Sequence, residues 1–111
     1  MRRAQVLWNG ELAGILTRVD PSLYEFEYVD VWLADGNKPA ISLTFPKTRK
    51  KYEADHLFPF FFNMLSEGVN RQLQSKMLRI DEKDHFSLLL ATGSTDGIGA
   101  VSVVPIKNES E

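Results

Sequence analysis

Two short apolar runs open the chain, Gln5-Val-Leu-Trp8 and Glu11-Leu-Ala-Gly-Ile-Leu-Thr-Arg18, separated by Asn9-Gly10. Asn-Gly readily adopts the two positive φ values of a tight hairpin turn, so this pattern predicts a β-hairpin. After the breaker Asp20-Pro21-Ser22, the segment Tyr24-Glu-Phe-Glu-Tyr28 alternates aromatic and acidic residues. A period of two sends the three rings to one face and Glu25 and Glu27 to the other, which predicts a half-buried third strand. Val31 to Ala34 reads as a short turn of helix stopped by Asp35-Gly36. Ala40-Ile-Ser-Leu-Thr-Phe45 alternates again up to Pro46 and is predicted as a fourth strand.

Beyond Pro46 the periodicity lengthens. The cation run Lys47-Thr-Arg-Lys-Lys51 reads as a solvated loop leading to Tyr52-Glu-Ala-Asp55 and the aromatic stretch Leu57-Phe-Pro-Phe-Phe-Phe-Asn-Met-Leu65. Asp55 is the candidate cap of a helix whose first turn tolerates Pro59. Val69, Leu73 and Met77 share one face of a second helix over 69–78. Asp81 or Asp84 is placed to cap a third, through Phe86-Ser-Leu-Leu-Leu-Ala91 to Gly93. Gly97-Ile-Gly99 leads into a last strand, Ala100 to Val104, ended by Pro105, and residues 107–111 read as a frayed tail. Strands, then short helices, then a returning strand predict one α+β domain over 1–111. Its antiparallel sheet has about five strands, partly closed, with two or three helices on one side.

Composition narrows the function classes. Over 111 residues, 43% are apolar and 25% charged, an ordinary globular balance with enough apolar surface to order the chain. A net charge of -2 provides no general attraction to phosphate, so any basic site must be local. The absence of cysteine removes disulfides, thiolate metal sites and thiol nucleophiles. The apolar run after Met1-Arg2-Arg3 is too short for a signal peptide, and no stretch reaches the length of a membrane span, so the expectation is a cytoplasmic protein without membrane contact.

Candidate chemistry is sparse. His56 and His85 each follow an aspartate at a predicted helix start, where sequence neighbours do not face one another, and no metal-ligand spacing is present. Gly93-Ser-Thr-Asp-Gly97-Ile-Gly99 precedes a strand and lacks the Lys-Ser/Thr that holds phosphates. Val103-Val-Pro-Ile-Lys107 resembles a kinase strand only until Pro105. No catalytic residue, cofactor or metal is expected. The cations at 47–51 suit either a solvated loop or, less favoured, a small nucleic-acid-binding surface. The crowded rings at 58, 60, 61 and 62 suit either a core cluster or an apolar patch for a partner.

Several segments taken together resemble the opening of the HipA serine/threonine kinase family. They are Asn9-Gly10 with Gly14-Ile-Leu-Thr17, Phe26-Glu-Tyr28 with Trp32-Leu33-Ala34, and Ser42-Leu-Thr-Phe-Pro46. Leu57-Phe-Pro-Phe-Phe-Phe-Asn63-Met-Leu65 and Asp96-Gly-Ile-Gly99-Ala-Val101 follow in the same order. The similarity runs from about residue 5 to 105 and covers the family's N-terminal subdomain, not its kinase core. It implies a HipS-like antitoxin of the HipB-HipS-HipT arrangement, a non-catalytic protein that binds a HipT- or HipA-like kinase toxin. The partnership would also include a HipB-like helix-turn-helix protein, with DNA met only indirectly. Two positions depart from the pattern: Ser66 stands where the family has proline, and Val69 where some stand-alone relatives place a large aromatic. The turn between the first two long helices, Asn63, Met64, Leu65, Ser66, Glu67, Gly68, Val69, Asn70 and Arg71, is the expected contact with the kinase. In that expectation Met64, Leu65 or Val69 is the apolar anchor and Glu67 and Arg71 form the rim. The alternative is an ordinary helix hairpin whose apolar residues serve the core.

Overall fold

A computed structural model describes residues 2–65, 68–93 and 100–106. Strands β1 (Arg2–Trp8) and β2 (Glu11–Asp20) form the predicted hairpin, with Trp8 opposite Glu11. Asn9 at φ 49° and Gly10 at φ 83° supply its turn. Strand β3 (Leu23–Tyr28) pairs with β2, and β5 (Val101–Pro105) pairs with β1. The sheet is antiparallel throughout, in the order β4-β3-β2-β1-β5, and its ladder ends at β4 and β5, which do not pair with each other.

One sheet face carries Ala4, Val6, Leu16, Tyr24, Phe26, Tyr28, Val101 and Val103, all buried. Phe26 sits at its centre, between the Tyr28 ring at 5.0 Å, Phe45 at 4.8 Å and Phe61 at 5.9 Å. Its edge also fills the space beside Gly14, where a Cβ would lie 2.6 Å from the ring and 2.8 Å from the Glu27 carbonyl. Glycine is therefore required there by close approach. Helix α2 (Pro59–Phe62) brings in Phe61, and helix α4 (His85–Thr92) brings in Phe86, Leu88, Leu89 and Thr92. Asp84 caps α4 by accepting from the Ser87 amide at 3.2 Å and the Ser87 hydroxyl at 2.8 Å. Arg2 at the chain's start donates to the same hydroxyl at 2.6 Å, which ties β1 to the helix.

Residues 40–45 do not form a strand. Ile41 and Phe45 are buried, but Leu43, which strict alternation would turn inward with them, is 100% exposed. The segment turns at Ser42–Phe45, where the Phe45 amide donates to the Ser42 carbonyl at 3.1 Å and the Ser42 and Thr44 hydroxyls meet at 2.9 Å. The buried Tyr28 hydroxyl donates to the Phe45 carbonyl and accepts from the Ile41 amide at 3.1 Å, taking groups that a ladder would need. Trp32, buried on α1 (Asp30–Ala34), donates its Nε1 proton to the Pro39 carbonyl at 2.8 Å and holds the same loop.

The fourth strand lies later, at β4 (Lys51–Ala54), so the cation run ends in the sheet and not wholly in a loop. Glu25 and Glu27 of β3 place two carboxylates on the outer face, and a neighbouring strand that brings cations relieves their repulsion. Lys51 reaches Glu25 at 3.3 Å, and Lys50 lies against both Glu27 and Asp30. The aromatic helix is also shorter than predicted, since Asp55 lies in a bend and α2 begins at Pro59 with Phe58 at its cap position. Helix α3 (Gly68–Leu78) agrees with the predicted second helix. The predicted glycine-rich entry at 94–99 and the tail at 107–111 lie outside the described residues.

Candidate functional site

The cations of 47–51 are engaged with groups of the domain itself. Lys47 donates to the Asp35 carbonyl at 2.6 Å and the Lys38 carbonyl at 2.8 Å, closing the loop over Trp32. The Arg49 guanidinium lies 5.3 Å from the Tyr52 ring centre. The Lys50 ammonium is held above its ordinary pKa, first by the hydrogen bond it donates to the Asp30 carboxylate and further by Glu27. The run is thus matched to nearby carboxylates, carbonyls and a ring.

Both histidines, far apart in sequence, border one open cleft of about 440 Å³ beside Arg18, Tyr24, Asp81 and Asp84. Because residues 55–56 form a bend instead of a helix, the Asp55 and His56 side chains do meet, Oδ1 to Nδ1 at 2.6 Å. That hydrogen bond, with the attraction of a protonated imidazole, lowers the Asp55 pKa. The pair is nevertheless largely exposed, with 84% of the Asp55 side chain and 72% of the His56 side chain open to solvent. His85 instead packs edge-on against Phe62 at 4.8 Å. At Asp84 burial pushes the pKa up, but the Ser87 hydrogen bonds and the charges of Arg2 and Arg18 outweigh it and leave the carboxyl below its usual range. Among the described residues no group of three or more His, Cys, Asp or Glu is disposed to hold a metal ion. Asp84 serves the helix cap and His85 packs on Phe62, while the Asp55–His56 pair stands open to solvent.

The expected contact turn divides on inspection. Asn63, the C-cap of α2, is exposed, whereas Met64 and Leu65 are buried in the core at 3% and 6% exposure, so neither side chain forms an outward anchor. Ser66 and Glu67 lie outside the described residues, and Gly68 and Val69 contribute backbone to the start of α3. Asn70 is exposed. Arg71 is half-buried, its guanidinium 5.1 Å from the Phe62 ring centre. The aromatic cluster follows the core reading for Phe58 and Phe61, which are buried, while Phe60 and Phe62 are half-buried at its margin.

Large exposed apolar side chains occur elsewhere: Leu73 at 53%, Met77 at 83% and Leu78 at 43% on α3, Val31 at 81% and Leu43 at 100%. The i, i+4 spacing of Leu73 and Met77 showed in the sequence that they share a face. Which way that face turns is a property of the packed chain. Among the described residues no helix is long and apolar enough to cross a membrane.

Comparison with known proteins agrees with this architecture over almost all of its length. Residues 4–104 match the family model for the HipA N-terminal domain. An uncharacterised protein of Haemophilus influenzae is 33% identical over 103 residues, a match covering 93% of this chain and 92% of that protein. The putative kinase Y4mE of Sinorhizobium fredii is 28% identical over 109 residues, which is 98% of this chain but only 26% of the kinase. The chain therefore spans about a quarter of that relative. Among solved structures, one described as the N-terminal domain of HipA toxin superimposes with a TM-score of 0.72 at 28% identity, covering 98% of this chain and 96% of that one.

Proposed function

The chain belongs to the HipA N-terminal domain family, and from that premise we propose that it is a non-catalytic antitoxin that binds a HipA- or HipT-like serine/threonine kinase and inhibits it by protein-protein contact. The observation that carries this reading is the extent of the match. It takes in nearly all of this chain and nearly all of a solved HipA N-terminal domain, yet only a quarter of a putative kinase. A domain that elsewhere forms part of a longer kinase polypeptide has surfaces suited to that kinase.

Inhibition then requires no chemistry from the domain. It must bind an incompetent kinase conformation more tightly than the competent one, by about 10⁴-fold to shift an almost fully active population to about 1% active. The HipB-like helix-turn-helix protein fits this reading as a third member, carrying any contact with DNA.

The test is phosphate transfer by a HipA-family kinase with and without the purified chain. Activity should fall in proportion to added protein and reach its floor near equimolar ratio. Unchanged or raised activity would instead identify a domain that completes the kinase fold in trans without inhibiting it. Phosphate transfer by the chain alone would overturn the non-catalytic reading.

A further inference from the structure

Helix α3 is poorly accounted for by the domain that carries it. From Asn70 to Leu78 none of its side chains is buried, and Leu73 and Met77, on one face, are 53% and 83% exposed. Eleven residues are fewer than an isolated helix needs for stability in water, so such a helix depends on its termini and on packing. The C-terminus is well fixed. Arg79 adopts a left-handed φ of 57°, its amide donates to the Lys76 carbonyl at 3.3 Å, and the Ile80 amide donates to the Ser75 carbonyl at 3.0 Å. This is the hydrogen-bond pattern of a Schellman motif. The Ser75 hydroxyl adds a bond to the Ile80 carbonyl at 2.7 Å, and the half-buried Ile80 packs against the core. Beside this anchor the Leu73–Met77 face is held toward solvent.

We propose that the face of α3 formed by Leu73 and Met77, flanked by Leu78, docks into an apolar groove on the kinase polypeptide, whose rim carries carboxylates. The inference rests on the kinase-binding reading above and identifies the surface that performs it. Two observations select this occupant. In the rhizobial putative kinase the matched residues are 26% of the length, so a much larger body of the same polypeptide accompanies the domain there. In addition, residues 70–79 contain Arg71, Lys76 and Arg79 and no acidic residue, and Lys76 and Arg79 are exposed, which favours an acidic rim. A second copy of the chain fits less well. The three apolar side chains offer at most a few hundred Å², against about 800 Å² per partner in a stable interface, and two convex helix faces do not enclose one another as a groove does.

The test titrates the full chain against a HipA-family kinase from the same genome that lacks its own N-terminal domain. It uses wild type, Leu73→Asp/Met77→Asp, and the milder Leu73→Gln/Met77→Gln, which keeps good helix formers at both positions. Both double variants should retain the wild-type thermal midpoint and lose at least tenfold in affinity, and Lys76→Glu/Arg79→Glu should slow association. If wild type binds and both apolar variants bind within twofold of it, the docking face is overturned while kinase binding stands. If wild type itself does not bind, the functional reading fails and this inference with it. Self-association of the wild type that the variants abolish, with kinase affinity unchanged, would assign the face to a second copy and overturn the kinase as its occupant.

Discussion

Replacing Tyr28 with phenylalanine removes one oxygen and should loosen the whole loop between α1 and β4. The ring is fully buried, and its hydroxyl joins two points of that loop, donating to the Phe45 carbonyl and accepting from the Ile41 amide. Ile41 and Phe45 are themselves 4% and 2% exposed, so water does not readily replace the lost partner. Two net hydrogen bonds at about 0.5–1.5 kcal/mol each, with part of the desolvation penalty of the orphaned amide and carbonyl, give about 2–3 kcal/mol. With an unfolding entropy of about 2.1 cal/mol/K per residue, a chain of 111 residues should melt about 9–13 °C lower. Thermal denaturation followed by circular dichroism at neutral pH measures this directly. Burial raises the Tyr28 pKa, against the opposing pull of the Ile41 hydrogen bond. A raised pKa means that the neutral phenol's contribution is complete below the unfolded value of about 10 and is lost as pH rises beyond it, so the gap between wild type and variant should narrow in alkali. A fall of less than about 3 °C at neutral pH would show that Trp32 and Lys47 hold the loop without the hydroxyl, and would refute the argument; the threshold corresponds to well under 1 kcal/mol.

Two further substitutions test the core and a helix cap. Gly14→Ala places a methyl 2.6 Å from the Phe26 ring and 2.8 Å from the Glu27 carbonyl in the middle of the sheet, and should cost about 1–3 kcal/mol, read as a lower urea midpoint with an unchanged slope. Asp84→Ala removes the cap of α4 and should cost about 1 kcal/mol in the same measurement, whereas Asp84→Asn retains most of the capping. Because the folded Asp84 carboxyl titrates below its usual range, its stabilisation is present above the unfolded pKa of about 3.9 and disappears as pH falls through the lower folded value. Wild type should therefore lose more stability than Asp84→Asn between neutral pH and strong acid.

Local patterns that admit one backbone solution were legible in the sequence. Asn9-Gly10 specifies a hairpin because few dipeptides accept two positive φ values, and Glu25 and Glu27 alternate with rings that must be hidden. Asp84 precedes an apolar run by one residue and caps it. These are short-range constraints of sterics, solvation and hydrogen bonding, and they identify the hairpin, the third strand and the last two helices without reference to the rest of the chain. The same reading assigned the fourth strand to Ala40–Phe45, whereas the structure forms it at Lys51–Ala54. Both segments alternate, and the decision came from Tyr28, whose hydroxyl occupies the first, and from Glu25, which pairs with a cation on the second. For the candidate contact surface, sequence located the helix hairpin but not its orientation. Met64 and Leu65 turned into the buried cluster that also holds Phe26, Phe61 and Leu89, while Leu73 and Met77 turned out. Periodicity shows which residues of a segment lie together, and only the packed tertiary structure determines whether their common side is covered by the same chain or left for another.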